Sequence, residues 1–356
     1  MKKKILISTG GSGGHVIPAL AFCDHLKENF EVYLTSDKRG SKFINQNKYN
    51  FEILSSPRLT LNIIKLPLTF ISLIISILRS FFYLKNKKID VLIGTGGYMS
   101  VSFCIAAKIL NIKIYLFEPN MVIGRSNKFL LKLSTKLFCY SNKMINFPEK
   151  YINKMIIINH ILRKEIYDSN NFMKEEIDKK INLLVMGGSQ GAKIFGDVIP
   201  DVIKSLNDQV EKIQIYQQCV KGQQEEISNF YNRNNIKNYV FEFDKNILEL
   251  ILSSDLAITR CGASSTAELT QTLTPFIAIP LPDSIDNHQY LNAKYYENKE
   301  CCWIMEQKNF SSKNLFNLIE EIVKNKNKLE NIRENMKKIS SKNVYNDIEN
   351  TIKELI

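Results

Sequence analysis

The sequence comprises 356 residues, with 48 Lys and Arg against 36 Asp and Glu, which gives a formal net charge of +12. This length predicts two domains of roughly 150–200 residues, and a hydrophobic content of 44% can fill two cores. The positive charge favours anionic partners such as phosphorylated substrates or acidic phospholipids. No basic stretch is interleaved with aromatic residues in a recognisable module, which argues against a role in nucleic-acid binding.

The cysteine pattern and the first residues indicate a cytoplasmic protein. Seven cysteines are scattered along the chain without a C-x-x-C pair, so neither a zinc site nor a disulfide framework is predicted. Reduced thiols of this kind are typical of the cytoplasm. Met1–Lys4 leads directly into a run of β-forming residues without a long apolar stretch, so no signal peptide is expected.

The first predicted element is a strand at Ile5–Ile7 that leads into a glycine-dense turn, Gly10–Gly14. His15 follows the turn directly, before the helix-forming residues Ala19–Phe22. A strand, a glycine turn and a helix present backbone N–H groups to an anion at the helix N-terminus. Val16 stands where G-x-G-x-x-G requires its third glycine, so the turn is not a dinucleotide fingerprint. It predicts a phosphate or sugar site.

Further strands are predicted in the first half of the chain at Glu31–Thr35, Phe51–Leu54, Ile89–Gly94, Ile112–Phe117 and Met155–Ile158. The strand that ends at Gly94 is apolar without alternation, which is typical of a parallel strand buried on both faces. The glycine turn Gly94–Gly97 follows it, and Glu118–Asn120 follows the next strand. Functional groups collect at the carboxyl ends of strands in open α/β sheets, so we expect these turns to face one crevice.

The most apolar stretch is Leu66–Leu84, in which 13 uncharged residues separate Lys65 from Arg79. A helix of that length spans about 20 Å, short of the roughly 30 Å of a bilayer core, so a spanning helix is not expected. Polar residues recur at helical spacing and predict one polar stripe: Lys65, Thr69, Ser72, Ser76, Arg79 and Tyr83. Together with flanking lysines, this favours a helix on an anionic membrane surface. The alternative is a deeply buried helix with a thin wet edge.

The second half of the chain repeats the order of the first. Ile181–Ala192 again predicts a strand, a glycine turn and a helix, and Asp255–Gly262 resembles Asp90–Gly97. Two doubly wound domains with matching turns imply a ligand site in the cleft between them. Gly187–Lys193 lacks the G-K-[ST] of a Walker A loop, which excludes a P-loop NTPase of that type.

Two polar clusters in the second half have alternative interpretations. Ser265 and Glu268 fit a capping box at the start of a helix, which the spacing alone favours, whereas Glu268 could instead accept the two hydroxyls of a ribose. Asp286–Gln289 follows the predicted strand Phe276–Pro280. This cluster could bind sugar hydroxyls or cap the predicted helix Gln289–Tyr296.

Six motifs occur in order along the chain: GGSGGHVIPALA at 10–21, GTGGYMS at 94–100, EPN at 118–120, GGSQGA at 187–192, RCGASSTAE at 260–268 and DNHQ at 286–289. Together they resemble the MurG family of UDP-GlcNAc-dependent transferases, which make lipid II in peptidoglycan synthesis, and the resemblance covers nearly the whole chain. It implies an α/β protein of the GT-B fold, with two Rossmann-like doubly wound parallel-sheet domains facing a central cleft.

The resemblance also implies a division of labour along the chain. Residues 1–162 would bind the acceptor and associate with the membrane, and residues 163–340 would bind UDP-GlcNAc. Residues 341–356 would form a C-terminal helix that packs back on the first domain.

Site residues are carried over position by position from the matching motifs. The resemblance implies a UDP-GlcNAc site formed by Ser12, Gly13, Gly14, Asn120, Arg163, Ser189, Asp244, Ala263, Ser264, Glu268 and Gln289. It implies an acceptor site formed by Gly10, Gly11, His15, Gly96, Gly97 and Tyr98. Arg163 and Ser189 would face the UDP portion and Gln289 the GlcNAc hydroxyls, while Asn120 would contact the donor sugar. Glu268 would bind the ribose, which favours its functional interpretation over the cap.

This chain departs from the family pattern at three places. Pro119 stands where the family has the glutamine of its E-Q-N motif. His160–Leu162 replaces the usual Asn-Pro-Val before Arg163, so the hinge proline is missing. Ser12 replaces a common threonine and keeps the hydroxyl.

The implied reaction is an inverting transfer of GlcNAc from UDP-GlcNAc to the C4 hydroxyl of MurNAc in undecaprenyl-diphosphoryl-MurNAc-pentapeptide (lipid I). Such a displacement needs a base, for which His15 is the first candidate and Glu118 the second. The alternative role of His15 is to stabilise the loop or to contact the acceptor diphosphate. Arg163, Ser189 and helix N-terminal amides would neutralise the leaving UDP, so no metal or other cofactor is expected.

The resemblance further implies a peripheral protein on the cytoplasmic side of the inner membrane. Three other functions remain open at this point. The same fold serves UDP-GlcNAc 2-epimerases, which need neither a membrane helix nor a polyprenyl acceptor. A transferase could also use another lipid acceptor, such as diacylglycerol. A nucleotide-sugar-binding or nucleic-acid-binding protein would have no catalytic activity.

Overall fold

The computed structural model describes residues 2–54, 56–57, 66–168, 180–188, 191–210, 212–244, 246–340, 350 and 352–354. The chain divides into two compact units, one formed by Met1–Lys164 with Asn343–Ile356 and the other by Glu165–Lys342. Each unit contains its own parallel sheet.

The first unit is built on a sheet whose strands are β1 Lys4–Ser8, β2 Glu31–Ser36, β3 Glu52–Ile53, β4 Val91–Gly94, β5 Lys113–Glu118, β6 Lys136–Cys139 and β7 Met155–Ile157. Its helices are α1 Gly13–Leu26, α2 Leu66–Lys87, α3 Gly97–Ile109 and α4 Arg125–Leu130. The spatial order is β3-β2-β1-β4-β5-β6-β7, and every pair is parallel. β6 is a strand that we did not predict, because the four residues Lys136–Cys139 are too few to show a periodicity.

The strand order places the predicted turns side by side. β1 lies between β2 and β4, with Ser8 opposite Gly94, and β4 is followed by β5 with Gly94 opposite Leu116. The backbone N–H of Thr95 donates to the carbonyl of Ser8 at 3.1 Å. The turns that follow β1, β4 and β5 therefore emerge at one edge of the sheet, which is where parallel α/β sheets bind ligands.

The second unit repeats this architecture with β8 Lys180–Met186, β9 Lys212–Gln218, β10 Lys237–Phe241, β11 Leu256–Thr259, β12 Phe276–Ala278 and β13 Cys302–Ile304. The short helix α5 Lys164–Asp168 precedes β8. The helices after β8 are α6 Lys193–Gln209, α7 Gln224–Arg233, α8 Ile247–Leu252, α9 Ala263–Gln271, α10 His288–Glu297, α11 Ser312–Lys324 and α12 Lys326–Ile339. The order β10-β9-β8-β11-β12-β13 is again parallel throughout. The prediction of two doubly wound parallel sheets is confirmed.

Helix α2 is packed against the first unit on one side and exposed on the other. Its inward side contains Ser76, Ser80 and Leu84, which are buried, and it packs on α3. Seven large apolar side chains lie on the outward side with exposed fractions of 43–69%: Leu68, Phe70, Ile71, Ile74, Ile75, Leu78 and Phe82. The deeply buried alternative is therefore wrong. The predicted polar stripe is not turned wholly to solvent, because its member Ser76 is buried while Arg79 is exposed.

The length of α2 also exceeds the uncharged run. The helix continues past Arg79 to Lys87 and comprises 22 residues, since Arg79 and the lysines that follow are good helix formers. Among the described residues, Pro67–Lys87 is long and apolar enough to cross a membrane by length and composition, with 17% of its most apolar window buried.

Candidate active site

His15 is held by the turn that follows β4. It lies in the first turn of α1, and its Nδ1 is 2.8 Å from the carbonyl oxygen of Thr95. A carbonyl can only accept, so Nδ1 carries the hydrogen, and in the neutral ring Nε2 keeps a lone pair. A Cβ at Gly96, whose φ is +92°, would lie 3.0 Å from His15 Cε1. Glycine at this position lets the imidazole pack directly on the turn.

Asp37 holds the glycine turn in front of α1. Its Oδ1 accepts the N–H groups of Gly11 at 2.9 Å and Gly40 at 2.7 Å, and its Oδ2 accepts from Arg39 at 3.1 Å. Burial alone would raise the pKa of Asp37, but the hydrogen bonds from the two glycines and Arg39 lower it below its ordinary value. The amide of Gly11, predicted to contact the acceptor, is already donated to this carboxylate.

Other amides of the same turn belong to the helix start. Gly13 and Gly14 are the first two residues of α1, and the first N–H groups of a helix have no intrahelical partner. Ser12 is the N-cap residue in an extended conformation, and its carbonyl accepts from His15 at 3.1 Å. The turn thus combines a fixed imidazole with two amides at a helix N-terminus.

Glu118, at the end of β5, is the centre of a hydrogen-bond network and only 2% exposed. Its Oε1 accepts from the backbone N–H of Asn120 at 3.2 Å and from Asn120 Nδ2 at 2.9 Å. Its Oε2 accepts from the N–H of Gly124 at 2.8 Å and from Asn127 Nδ2 at 3.0 Å. The buried Asn127 also donates to the carbonyl of Phe117 at 3.0 Å. The carboxylate therefore joins β5 to the start of α4.

The remaining predicted residues of the first unit lie at two places. Gly97 and Tyr98 begin α3, and the carbonyl of Tyr98 accepts from Ser56 at 3.0 Å. Arg163 is half-buried and directly precedes α5. The segment before it is anchored by Tyr140, whose hydroxyl accepts from the N–H of Ile161 at 3.1 Å.

The glycine turn of the second unit is equally tight. The N–H of Gly187 donates to Gln218 Oε1 at 2.9 Å, and Gly191 donates to the carbonyl of Gly188 at 3.0 Å. A Cβ at Gly187 would lie 2.4 Å from the backbone nitrogen of Ala192, so only glycine fits. Ser189, predicted to face the UDP portion, lies outside the described residues.

Gln289 joins the loops that follow β11 and β12. Its Oε1 accepts from the N–H groups of Cys261 at 3.1 Å and Leu281 at 3.0 Å. Asn292 of the same helix donates to the carbonyl of Cys261 at 3.1 Å. The carbonyl end of the Gln289 side chain is therefore held by the protein, and its amide end is the donor end.

Arg260 is a buried cation in the same region. Its Nη1 donates to the carbonyls of Ile279 at 3.1 Å and Pro280 at 3.2 Å, and its guanidinium lies 5.0 Å from the ring centroid of Phe195. Burial lowers the pKa of Arg260 from its ordinary value. This residue ties the end of β12 to the turn after β11.

The capping box predicted at Ser265 is wrong. Helix α9 begins at Ala263 with Gly262 as its extended N-cap, and Ser265 is already the third helical residue. Ala263 and Ser264 are half-buried and carry the first N–H groups of the helix, whereas Glu268 is buried on its next turn. The cap interpretation of Asp286–Gln289 also fails, because α10 begins at His288 and its N-cap makes no side-chain capping bond.

Asp244 is used to shape its own loop. Its Oδ2 accepts from the hydroxyl of Tyr239 at 2.9 Å, and its Oδ1 accepts from the N–H of Asn246 at 2.6 Å. Both oxygens of the Asp244 side chain are therefore engaged within this loop.

Sequence reasoning did not identify several residues that organise these loops: Asp37, Thr95, Gly124, Asn127 and Arg260. Asp37 could have been found, because an aspartate directly after a predicted strand is a common turn residue. Thr95 acts through its carbonyl, which has no side-chain signature.

In the described part of the chain, no group of three His, Cys, Asp or Glu side chains could hold a metal ion, and the seven cysteines are buried free thiols.

Comparisons with known proteins cover both units. Residues 5–139 match the model of the glycosyltransferase family 28 N-terminal domain, and residues 182–352 match that of the glycosyltransferase family 28 C-terminal domain. The UDP-N-acetylglucosamine–N-acetylmuramyl-(pentapeptide) pyrophosphoryl-undecaprenol N-acetylglucosamine transferase of Pelagibacter ubique is 47% identical over 337 residues, which cover 95% of this chain and 94% of the relative. The transferase of the same name from Rickettsia bellii is 35% identical over 99% of this chain and 100% of its own length.

Solved structures show the same fold. The crystal structure of Acinetobacter baumannii MurG superimposes with a TM-score of 0.78 at 23% identity and covers 99% of both chains. A UDP-N-acetylglucosamine 2-epimerase gives a TM-score of 0.65 at 12% identity, covering 98% of this chain and 95% of its own. The predicted GT-B fold is confirmed, and the sequence relatives distinguish between the activities it supports. The chain belongs to glycosyltransferase family 28, within the MurG family of UDP-GlcNAc-dependent transferases.

Proposed function

We propose that this protein transfers GlcNAc from UDP-GlcNAc, with inversion, to the C4 hydroxyl of MurNAc in lipid I and so forms lipid II for peptidoglycan synthesis. A relative named for this transfer is 47% identical over 95% of the chain, which supports this proposal. The observation that carries the mechanism is the His15 imidazole, which is oriented by the Thr95 carbonyl beside a glycine turn at a helix N-terminus.

His15 acts as the base. Its Nε2 takes the proton of the C4 hydroxyl while that oxygen attacks C1 of GlcNAc, and the bond between C1 and the oxygen of UDP breaks. The Thr95 carbonyl holds the ring in the required tautomer and stabilises the imidazolium that forms. A positioned base of this kind contributes about 10²–10⁴-fold to the rate.

The leaving UDP is bound by the second unit. The half-buried N–H groups of Ala263 and Ser264 at the start of α9 receive the diphosphate, because a helix N-terminus carries a partial positive charge. Arg163 and Ser189 add donors to the same group, and Glu268 accepts the ribose hydroxyls. The amide hydrogens of Gln289 and the side chain of Asn120 contact the sugar, and the backbone near Asp244 contacts the uracil.

The acceptor is bound by the first unit, with the turns at Gly10–Gly14 and Gly96–Tyr98 around its diphosphate and sugar. We assign residues 1–162 to acceptor and membrane binding, residues 163–340 to UDP-GlcNAc, and residues 341–356 to a C-terminal helix on the first unit. The protein lies peripherally on the cytoplasmic side of the inner membrane, and the exposed apolar face of α2 supports this assignment. Nucleic acid is not a partner.

The test is transfer of radiolabelled GlcNAc from UDP-GlcNAc to lipid I, with identification of the product linkage. We expect a β1→4 product and UDP release only when lipid I is present. Formation of an epimerised UDP-sugar without acceptor would instead show a 2-epimerase, and transfer to diacylglycerol would show a different acceptor. His15→Ala should lower kcat by about 10²–10⁴-fold; unchanged turnover would exclude His15 as the base.

A further inference from the structure

We propose that Asp37 is a positioning residue for the reaction, because it fixes the peptide between Gly10 and Gly11 in the orientation that directs the carbonyl of Gly10 toward His15. This inference rests on the proposed role of His15 as the base. A peptide between two glycines can rotate between two orientations without a side-chain clash, since glycine adopts positive and negative φ about equally. The hydrogen bonds around this peptide therefore decide which orientation is populated.

The carboxylate of Asp37, whose side chain is 13% exposed, faces the N–H side of this peptide. Its Oδ1 accepts from the N–H of Gly11 at 2.9 Å and from the N–H of Gly40 at 2.7 Å. A flipped peptide would bring the carbonyl oxygen of Gly10 against the same carboxylate. Neither group has a hydrogen to donate, so the two would repel each other. Asp37 therefore stabilises one orientation and opposes the other.

The packing of the turn keeps this carboxylate in place. A Cβ added at Gly10 would lie 2.9 Å from Met99 Cγ and 3.0 Å from Asp37 Oδ1. A Cβ added at Gly40 would lie 2.9 Å from the Cα of Gly10. The turns that follow β1 and β2 are therefore in direct backbone contact, which glycine alone permits, and Asp37 lies at their junction.

The resulting orientation places a partial negative charge beside the candidate base. The peptide is trans, so its C=O and N–H point in opposite directions, and the carbonyl of Gly10 points away from Asp37. This carbonyl oxygen lies 3.5 Å from a Cβ built on Gly97, and Cδ2 of His15, the ring carbon bonded to Nε2, lies 3.8 Å from the same point. The carbonyl therefore favours the imidazolium that forms when Nε2 takes a proton. A flipped peptide would present an N–H there and disfavour it.

The test separates the acceptor oxygen of Asp37 from its charge, with the variants D37N, R39Q and D37A. D37N keeps an oxygen that can accept from both N–H groups and loses only the ion pair with the exposed Arg39, which R39Q also removes. We expect both variants to keep kcat within about 5-fold of the wild type. D37A leaves two amide donors without an acceptor, so kcat should fall about 10–100-fold. The affinity for UDP-GlcNAc, measured by calorimetry, should stay unchanged in all three.

Two results of this comparison would overturn the proposal. Equal loss of kcat in D37N and D37A would show that the negative charge of Asp37 is itself required. Wild-type kcat in D37A would show that the turn does not need the carboxylate. A wild type that does not turn over lipid I would count against the proposed function instead.

A second measurement observes the imidazole of His15 without any substrate. The chain contains four histidines, so labelling them with ¹⁵N gives few ring signals, and H15A identifies those of His15. We expect the His15 ring signals to change in D37A and to match the wild type in D37N. Unchanged signals in D37A would overturn the proposal, whatever the acceptor is.

A change at Gly11 tests the same peptide if D37A does not fold. Gly11 has a φ of +84°, and an added Cβ would contact only Arg39 Nη2, 3.9 Å away. A peptide flip makes this φ negative, which alanine prefers by roughly 1–2 kcal/mol. G11A should therefore populate the flipped peptide and lower kcat about 10-fold. The matched control is G222A, which has a φ of +90° and open space around the added Cβ, and it should keep the kcat of the wild type. Equal kcat in G11A and G222A would overturn the proposal.

Discussion

At the residue scale, the position of the candidate base His15 depends on the absence of a side chain at Gly96 as well as on the hydrogen bond to Thr95. The imidazole of His15 reaches the Thr95 carbonyl because Gly96 has no side chain, and Gly96 adopts a φ of +92° that other residues avoid. The turn Gly94–Gly97 therefore fixes the position of the His15 ring, in addition to any contact with the acceptor.

This account predicts that Gly96→Ala lowers kcat by about 10²–10⁴-fold, because the new Cβ would lie 3.0 Å from His15 Cε1 and push the ring away from Thr95. The matched control is Gly222→Ala. Gly222 has a φ of +90°, and nothing lies within 4 Å of the added Cβ. Gly222→Ala therefore introduces the same backbone strain of roughly 1–2 kcal/mol without a clash. Steady-state kinetics and thermal unfolding of both variants separate strain from displacement. Equal activity of the two would contradict this role of Gly96.

At the element scale, α1 carries a second histidine with a structural role. His25 is 1% exposed, and its Nε2 lies 3.3 Å from the carbonyl oxygen of Leu162. Burial lowers the pKa of His25 to about 4, although the hydrogen bond to Leu162 and the charge of Asp24 oppose this shift. The folded protein therefore keeps this ring neutral where the unfolded chain would protonate it.

The consequence is a loss of stability on acidification. Below the ordinary pKa of 6.5 the unfolded state binds a proton at His25 that the folded state does not bind until about pH 4, so the free energy of unfolding falls as the pH falls between these values. Between pH 6.5 and pH 5 this loss amounts to about 2 kcal/mol. His25→Gln, which keeps a donor for Leu162 but does not titrate, should lack this component. Urea unfolding at pH 7.5 and pH 5.0 measures it; an equal drop in both proteins would refute the assignment.

The second feature at the element scale is the outward apolar face of α2, which is flanked by Arg79, Lys85 and Lys88. Burying such a face at the boundary of headgroups and acyl chains removes apolar surface from water, while the cations attract anionic lipid. The inward side of the same helix packs on α3 and holds it to the first unit. The two sides therefore have separate tasks.

Replacing Ile74 and Ile75, both exposed, with lysine should abolish binding to vesicles that contain anionic phospholipid and leave the affinity for UDP-GlcNAc unchanged. Lysine retains the electrostatic attraction to anionic headgroups. A loss of vesicle binding would therefore show that the apolar side chains insert into the membrane. The matched control places lysine at Ile152 and Ile157, which are exposed elsewhere on the first unit. Sedimentation with vesicles compares the two double variants, and retained binding of the first would assign the α2 face to another partner.

At the scale of the whole molecule, one architecture occurs twice along the chain. Each unit has a parallel sheet whose first six strands have the same order, and a glycine turn follows its first long strand. His15 follows the turn of the first unit, whereas Ala192 takes the equivalent place in the second unit when Gly187 is set on Gly10. We propose that the first unit binds the acceptor and supplies the base through His15, and that the second unit binds the donor.

This division predicts opposite phenotypes for variants in the two units. Gly187→Ala should abolish UDP-GlcNAc binding, because its Cβ would lie 2.4 Å from the nitrogen of Ala192 and the turn must open. Binding to vesicles should persist, since α2 belongs to the other unit. Titration calorimetry and vesicle sedimentation on one preparation provide both readings. Simultaneous loss of both, with normal folding, would show that the two functions are not separable by unit.

Whether a prediction from the sequence succeeded depends on how far apart along the chain the interacting residues lie. The glycine turns and the buried apolar strands were predicted because they depend on neighbours along the chain, through backbone conformation and the periodicity of side chains. The capping box at Ser265 was predicted wrongly, because the extended Gly262 after β11 is the N-cap and Ser265 already lies inside α9. The side of α2 that packs on α3 was not predicted, because it depends on a helix outside that stretch of the chain.

The sequence by itself determined the two doubly wound sheets, the family and the residue types at the site, because these are local or repeated patterns. Only the tertiary structure decided that Thr95 orients His15, that Asp37 takes the amide of Gly11, and that Glu118 is enclosed by four donors. The contacts of His15 and Asp37 join residues 80 and 26 positions apart, which meet because parallel strands bring their carboxyl ends together. The contacts of Glu118 lie within nine residues of the chain and depend on the path that the backbone takes from β5 to α4.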